Sequence, residues 1–312
     1  MKQNRFFGND IVNASQFTRD DVEVVMGNVV KMRDIVKTKG ATDLLRGKIM
    51  TALFYEPSSR TFGSFITAMQ RLGGGFIPLQ GVTYSSVAKG ETLADTVATF
   101  ASYSDVIVLR HPQVGAANIA ADATTIPVIN AGDGPGEHPT QALLDLFTII
   151  DHFGSVDGKT ITLVGDLLNG RTVHSLVTLL LLYKPKMIQL VAPAELRMPG
   201  DTVKRIKDAS IKISETDSLN ETLEDTEVLY VTRVQKERFR DLNVYEKLKD
   251  RFIITRDTMK KLGRDAILMH PFPRVSEIAT EVDSDPRALY LREQIKNGMY
   301  VRMALLSLVL AK

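Results

Sequence analysis

The sequence predicts an α/β protein: two doubly wound parallel-sheet domains joined by a long helix, with the C-terminal helix packing back on the first domain. Three observations lead there. The chain has 312 residues, room for two domains at about 150 residues each. Short apolar runs alternate with stretches of helical periodicity, the pattern of strand–helix–strand units around parallel sheets. The alternation breaks once, at a Gly-rich segment followed by a long helical stretch, and then starts again.

The elements follow in order. Residues 18–39 read as a helix: Thr18 and Asp21 have capping-box spacing, and Val22, Val25, Met26, Val29 and Met32 recur at helical intervals. IMTALFY (49–55) is an expected strand. Residues 60–72 carry Phe62, Phe65, Ile66, Met69 and Leu72 on one helical face and end at Gly73-Gly74. GFIPL is a short strand and 81–90 a polar loop. Residues 91–103 read as helix, 105–111 (DVIVLRH) as strand, then a short Ala-rich helix and the strand PVINA (127–131). GDGPGE (132–137) leads into the long helix, 138–153. The second set of expected strands is TITLVGD, MIQLVAP, IKIS, EVLYVTR, RFIIT and AILMHP, with helical stretches between them, and a last helix spans about 286–310. The expected division is 1–137 together with the C-terminal helix 288–312, an interdomain helix 138–153, and 154–287. No internal repeat at solenoid periods is present.

Composition narrows the function classes. Hydrophobic residues make up 44 % and charged residues 24 %, ordinary globular usage that disfavours fibrous and disordered readings. The net charge of +2 predicts neither a nucleic-acid nor an anionic-membrane partner. The absence of Cys removes disulfides, thiolate metal sites and Cys nucleophiles. No apolar run reaches 18 residues, the run around 177–183 being stopped by Lys184 and Pro185, and the N-terminus lacks the apolar core of a signal peptide. The expectation is a soluble, intracellular protein.

Ligands of doubly wound sheets bind beyond the carboxyl ends of the strands. The segments just after the expected strands are 55–61, 110–112, 132–138, 166–171, 233–238 and 270–274. Arginines and histidines recur in them, which suggests a concave site for an anionic substrate. EPSSRTFGSF (56–65) opens a helix directly after a strand. Its first N–H groups, the hydroxyls of Ser58, Ser59 and Thr61 and the planar guanidinium of Arg60 suit a phosphate, although Ser and Thr also serve there as ordinary N-caps. In HPTQ (138–141), His138 and Gln141 are three apart and can share a helix face, as a donor pair on a carbonyl or as a cap. His111, His138 and His270 each precede a proline and show no metal-ligand spacing, while His152 and His174 read as surface or packing residues. SSVAKGE (85–91) by itself reads as a solvated loop. GDLLNGRTVHSL (165–176) presents Arg171 at a helix start. RVQKERF (233–239) carries Arg233 and Gln235 at i and i+2, on one side of an extended segment. HPFPR (270–274) is a rigid two-proline turn suited to orienting backbone carbonyls. GSVDGKT (154–160) has three residues between its glycines where a P-loop has four, and it precedes a strand. GDGPG lacks the dinucleotide-binding spacing.

The ordered set EPSSRTFGSF, KGETLADT, RHP, GDGPGEHPTQALLDLFTI, GDLLNGRTVHSL, TRVQKERF, HPFPRVSEI and NGMYVRMALLSLVL resembles the aspartate carbamoyltransferase family, from about residue 48 to the end. The Ser58-x-Arg60-Thr61 and His138-Pro139-x-Gln141 motifs are shared by carbamoyltransferases in general. The KGETLADT, RVQKER and HPxPR segments look specific to the aspartate enzyme. The alternative is ornithine carbamoyltransferase, whose His-Cys-Leu-Pro turn differs from His270-Pro271-Phe272-Pro273 in a chain without Cys.

The resemblance implies transfer of a carbamoyl group from carbamoyl phosphate to L-aspartate, a step toward pyrimidines, with no cofactor and no metal. It implies that Ser58, Ser59, Arg60 and Thr61 hold the phosphate. Thr61, Arg110 and His138 polarise the carbamoyl oxygen, and Gln141 binds the carbamoyl amine side. Arg171, Arg233 and Gln235 clamp the aspartate carboxylates, and the carbonyls of Pro271 and Phe272 orient its amine. It further implies a cytoplasmic homotrimer with shared sites, in which Ser85 and Lys89 enter the neighbour's site, a first domain for carbamoyl phosphate and a second for aspartate. A regulatory or multienzyme partner is left open. Three positions depart from the family pattern. Ser59 stands where Thr is common, Leu168 where Lys is common, and Phe272 where a smaller apolar residue is common. The intact polar set disfavours a pseudo-enzyme.

Overall fold

The computed structural model describes residues 4–81, 90–239 and 241–312. Ser85 and Lys89 lie outside the described residues. The chain divides into two compact units, residues 1–144 with 296–312, and residues 145–295.

The first unit begins with α1 (Arg19–Lys39), whose capping box is the expected one: Asp21 N donates to Thr18 Oγ1 and Thr18 N to the Asp21 carboxylate. Val22, Val25, Met26, Val29 and Met32 form its buried stripe. Then come β1 (Ile49–Phe54), α2 (Ser59–Arg71), β2 (Gly75–Gln80), α3 (Leu93–Ala101), β3 (Val106–His111), α4 (Ala116–Asp122) and β4 (Val128–Asp133). The four strands are parallel in the order β2-β1-β3-β4. Leu53, Ile107, Leu109 and Val128 of the sheet pack with Val97 of α3 and Ala116 and Ala120 of α4. From β1 the chain first adds β2 on one side and then crosses to add β3 on the other. The order therefore reverses between β1 and β3, where such sheets open a crevice.

The helix α5 (Pro139–Phe153) is buried along its first eleven residues, as expected of a helix apolar on most faces. The boundary between units falls within it, after Leu144. The second unit then holds β5 (Thr160–Val164), α6 (Arg171–Leu180), β6 (Met187–Val191), α7 (Gly200–Asp208), β7 (Lys212–Thr216), β8 (Val228–Val231), α8 (Leu242–Leu248), α9 (Arg256–Lys261) and β9 (Ile267–Met269). Its parallel sheet has the order β7-β6-β5-β8-β9, so the reversal lies between β5 and β8. The last helix, α10 (Glu293–Leu310), crosses the second boundary, after Ile295. Its final ten residues are buried.

Two expected elements differ. RFIIT (251–255) is not a strand. Only Ile254 pairs, in a single bridge to Ile278, with Ile254 N donating to Glu277 O at 2.9 Å and Ala279 N to Ile254 O at 2.9 Å. Thr255 at once caps α9, so the chain turns into a helix before a ladder can form, while Ile254 is fully buried in the core all the same. The last helix starts at Glu293, not near 286. Residues before it are used elsewhere: Leu268 N donates to Arg287 O at 2.8 Å, and Ala288 bridges to Leu268 beside β9.

Candidate active site

In the first unit the parallel register sets Phe54 opposite Arg110, and Tyr55 N donates to Arg110 O at 2.8 Å. The segment 56–61 thus leaves the sheet beside Arg110, at the order reversal. The Arg110 guanidinium reaches Ala131 O through Nη1 at 3.3 Å and lies 3.4 Å from Glu56 Oε2 through Nε. One side chain therefore spans the carboxyl ends of β1, β3 and β4.

Ser58 occupies the N-cap position of α2 but makes no side-chain capping bond. Thr18, Thr92 and Thr255, at the same position of α1, α3 and α9, each do. The ordinary capping role is thus not what Ser58 performs here. Ser59 and Arg60 are exposed in the first turn, whereas Thr61 is buried. This first turn presents N–H groups, hydroxyls and a guanidinium together, the donor set an anion needs.

The loop after β4 is held by Asp133. Its carboxylate accepts from Glu137 N at 2.7 Å and from Gly115 N at 2.8 Å. Gly134 donates to His111 O at 2.7 Å with φ +53°, and a Cβ there would sit 2.3 Å from Pro112 O. Glycine is required at that position because the loop closes directly onto the turn after β3. The closure delivers His138, which is buried, to the start of α5, with Nδ1 3.4 Å from Thr140 Oγ1. Gln141 follows in the first turn and is also buried.

In the second unit the reversal between β5 and β8 is tightly closed. Thr232 N donates to Val164 O at 2.8 Å, and a Cβ on Gly165 would lie 2.1 Å from Thr232 O. Asp166 is fully buried and ties both segments together. It accepts from Asn169 N at 2.9 Å and from Gln235 N at 3.3 Å, while Gln235 Nε2 donates to Asn169 O at 2.9 Å. Arg171 is the first residue of α6, after Gly170. Leu168 is exposed on the same loop.

Arg233 and Gln235 engage different partners. Arg233 holds the Glu237 carboxylate bidentately, Nη1 to Oε2 at 3.0 Å and Nη2 to Oε1. Burial disfavours the charged guanidinium, but the contact with Glu237 outweighs it and raises the Arg233 pKa, while that of Glu237 is lowered.

Phe272 follows β9 in the turn 270–274 and adopts φ +53°, and the Phe272–Pro273 peptide bond is cis. Beyond the turn, Arg274 pairs with Asp283 and reaches Tyr290 Oη at 3.1 Å. His174 is half-buried, with Nε2 2.8 Å from Leu167 O, whereas His152 is exposed at the surface, with Nε2 3.3 Å from Asp265 O. Among the described residues no group of three or more His, Asp or Glu is placed to hold a metal ion, and no helix is long and apolar enough to cross a membrane.

Sequence reasoning placed the arginines and missed their carboxylate partners. The Arg233–Glu237 spacing of i, i+4 was a usable signal for an ion pair. Glu56 carried no local signal, since its partner Arg110 comes from β3; Asp166 meets Asn169 locally, but its bond from Gln235 comes from the segment after β8.

Residues 9–151 match the model of the aspartate/ornithine carbamoyltransferase carbamoyl-P binding domain, and residues 157–309 that of the Asp/Orn binding domain. The chain belongs to the aspartate/ornithine carbamoyltransferase family. Among relatives, it is 49 % identical to the aspartate carbamoyltransferase catalytic subunit of Thermoplasma acidophilum over 300 residues, 96 % of this chain and 97 % of that one. It is 52 % identical over 309 residues to the multifunctional protein pyr1-3 of Dictyostelium discoideum, covering 99 % of this chain but only 14 % of that protein. Among solved structures, the aspartate transcarbamoylase of Trypanosoma cruzi in complex with carbamoyl phosphate and aspartate matches with a TM-score of 0.93 at 45 % identity, covering 98 % of both chains. This chain carries both family domains along nearly its whole length.

Proposed function

We propose that the protein transfers the carbamoyl group of carbamoyl phosphate to the amine of L-aspartate, giving N-carbamoyl-L-aspartate and phosphate, a step toward pyrimidines. The observation that carries the reading of an acceptor bearing a carboxylate is the Arg233 guanidinium, which already holds a carboxylate through both nitrogens beside the fixed Gln235. A substrate carboxylate needs the same contacts. The Glu237 side chain is 52 % exposed, so yielding its place to substrate costs little. The similarity to aspartate enzymes of about the same chain length supports this acceptor over ornithine.

In this reading the aspartate nitrogen attacks the carbamoyl carbon, forming the C–N bond. The C–O bond to phosphate breaks, and the leaving phosphate takes the proton lost by nitrogen. Ser58, Ser59, Arg60 and Thr61 hold the phosphate. Thr61, Arg110 and His138 stabilise charge on the carbamoyl oxygen, and Gln141 orients the carbamoyl amine. Arg171, Arg233 and Gln235 hold the aspartate carboxylates, and the carbonyls of Pro271 and Phe272 receive its amine. Positioning and electrostatics carry the rate, since no covalent enzyme intermediate is needed. We place the chain in a cytoplasmic homotrimer whose sites are completed by Ser85 and Lys89 of a neighbour. The multifunctional relatives make a larger multienzyme setting a reasonable partner.

The test is steady-state carbamoyl transfer with aspartate and ornithine as parallel acceptors. Formation of carbamoyl aspartate is expected, and turnover of ornithine alone would overturn the reading.

A further inference from the structure

The turn 270–274 is held by a buried polar chain that the chemistry above does not use. His270 and Glu277 are 1 % and 4 % exposed. His270 Nδ1 accepts from Phe272 N at 2.8 Å, so the ring proton sits on Nε2, 2.6 Å from Glu277 Oε1. The Glu277 carboxylate also accepts from Val275 N and Ser276 N, each at 3.1 Å. A carboxylate receiving three donors is ionised, and a ring nitrogen that accepts a hydrogen bond from a backbone N–H keeps its lone pair, so the imidazole is neutral.

From the other side, His270 N donates to Gln294 Oε1 at 3.0 Å, Gln294 Nε2 to Asp145 Oδ1 at 2.7 Å, and Tyr230 Oη to Asp145 Oδ2 at 2.7 Å. Gln294, Asp145 and Tyr230 are all buried. The two ends of this chain meet at His270, and its ring bond is made to the residue with the unusual backbone. A bulky residue at positive φ is strained and persists only where its surroundings impose it.

We propose that His270 and Glu277 are positioning residues for the aspartate amine. Their buried pair imposes the left-handed conformation of Phe272 and so aims the Pro271 and Phe272 carbonyls, while touching no reacting atom. The proposal rests on the aspartate reading above. Supporting groups of this kind fix a site to within fractions of an ångström, and a misplacement of about 1 Å costs on the order of 10²-fold in rate.

Wild-type turnover of aspartate is scored first and by itself: its absence overturns the aspartate reading and the proposal with it. In the active protein, Glu277→Gln replaces one acceptor oxygen by an NH₂ group facing backbone donors. His270→Asn keeps an acceptor for Phe272 N, as in an Asx turn, and loses Glu277. His270→Leu loses both. Expected are rises in aspartate KM of about tenfold or more for Glu277→Gln, with His270→Asn milder than His270→Leu. Carbamoyl phosphate affinity, measured by calorimetry, should stay within about twofold of wild type. Glu277→Gln and His270→Asn should be non-additive in aspartate KM, because they remove one contact. If His270→Leu does not fold, the other two variants decide. Lower melting temperatures with unchanged aspartate KM, or equal loss for both substrates, would overturn the proposal and leave the aspartate reading standing.

Discussion

Gly165→Ala tests the closure between β5 and β8 at the atom where the two segments meet. A Cβ at this position would lie 2.1 Å from Thr232 O, against a practical floor of 3.0 Å, and the backbone has φ +115°. The obstructing atom is backbone, so no side chain can swing away. The segments must part by about 0.9 Å. The disfavoured φ costs about 1–3 kcal/mol. Parting weakens the bonds from Thr232 N to Val164 O and from Gln235 N to Asp166, at about 1 kcal/mol each. A loss of about 3–5 kcal/mol in a unit of this size lowers Tm on the order of 10 °C. The displaced segment carries Arg233 and Gln235, so aspartate kcat/KM should fall on the order of 10²-fold. Carbamoyl phosphate binding by calorimetry should hold, because the residues assigned to it lie in the other unit. Gly200→Ala is the control, since Gly200 has open space around its Cβ position and an ordinary φ. Thermal unfolding and aspartate kinetics of both variants are the assays. A Gly165→Ala protein with wild-type Tm and wild-type aspartate KM refutes the reasoning.

Three further outcomes are expected. Arg233→Ala should raise aspartate KM and lower kcat while sparing carbamoyl phosphate binding, because it removes a bidentate carboxylate partner; equal damage to both substrates counts against separate roles for the two units. Arg60→Ala and Lys89→Ala should each be nearly inactive, with roughly 10²–10³ lost in kcat for Arg60→Ala, yet a refolded equal mixture should recover about one site in four if sites are shared around a closed ring. Exchange of subunits without recovery refutes the shared site. Burial lowers the His270 pKa below its ordinary 6.5, and Glu277 is also lowered: burial raises it, but the bond from His270 and the backbone donors prevail. Below pH 6.5 the unfolded chain therefore binds protons that the folded chain does not, and stability falls with falling pH. Denaturant unfolding between about pH 7.5 and pH 5 should show a shallower loss for His270→Asn than for wild type, and parallel profiles would contradict the assignment.

Local chemistry in the sequence determined the parts of this protein. A capping box at Thr18 and a stripe of valines and methionines specify α1 without reference to anything distant, because a helix satisfies its own backbone within one turn. Apolar runs between helical stretches specify parallel sheets, and the arginines at their ends mark where an anion belongs. Tertiary structure decided the rest. Periodicity cannot state which edge a crossover adds to, so the reversals beside Arg110 and Arg233 emerge only from the strand order. RFIIT has the apolar content of a strand, yet its neighbours 277–279 leave it one bridge. Asp166 meets Gln235 across 69 residues and Asp145 meets Gln294 across 149. A hydrogen bond of that kind depends on where packing brings two distant segments, and no spacing along the chain encodes it.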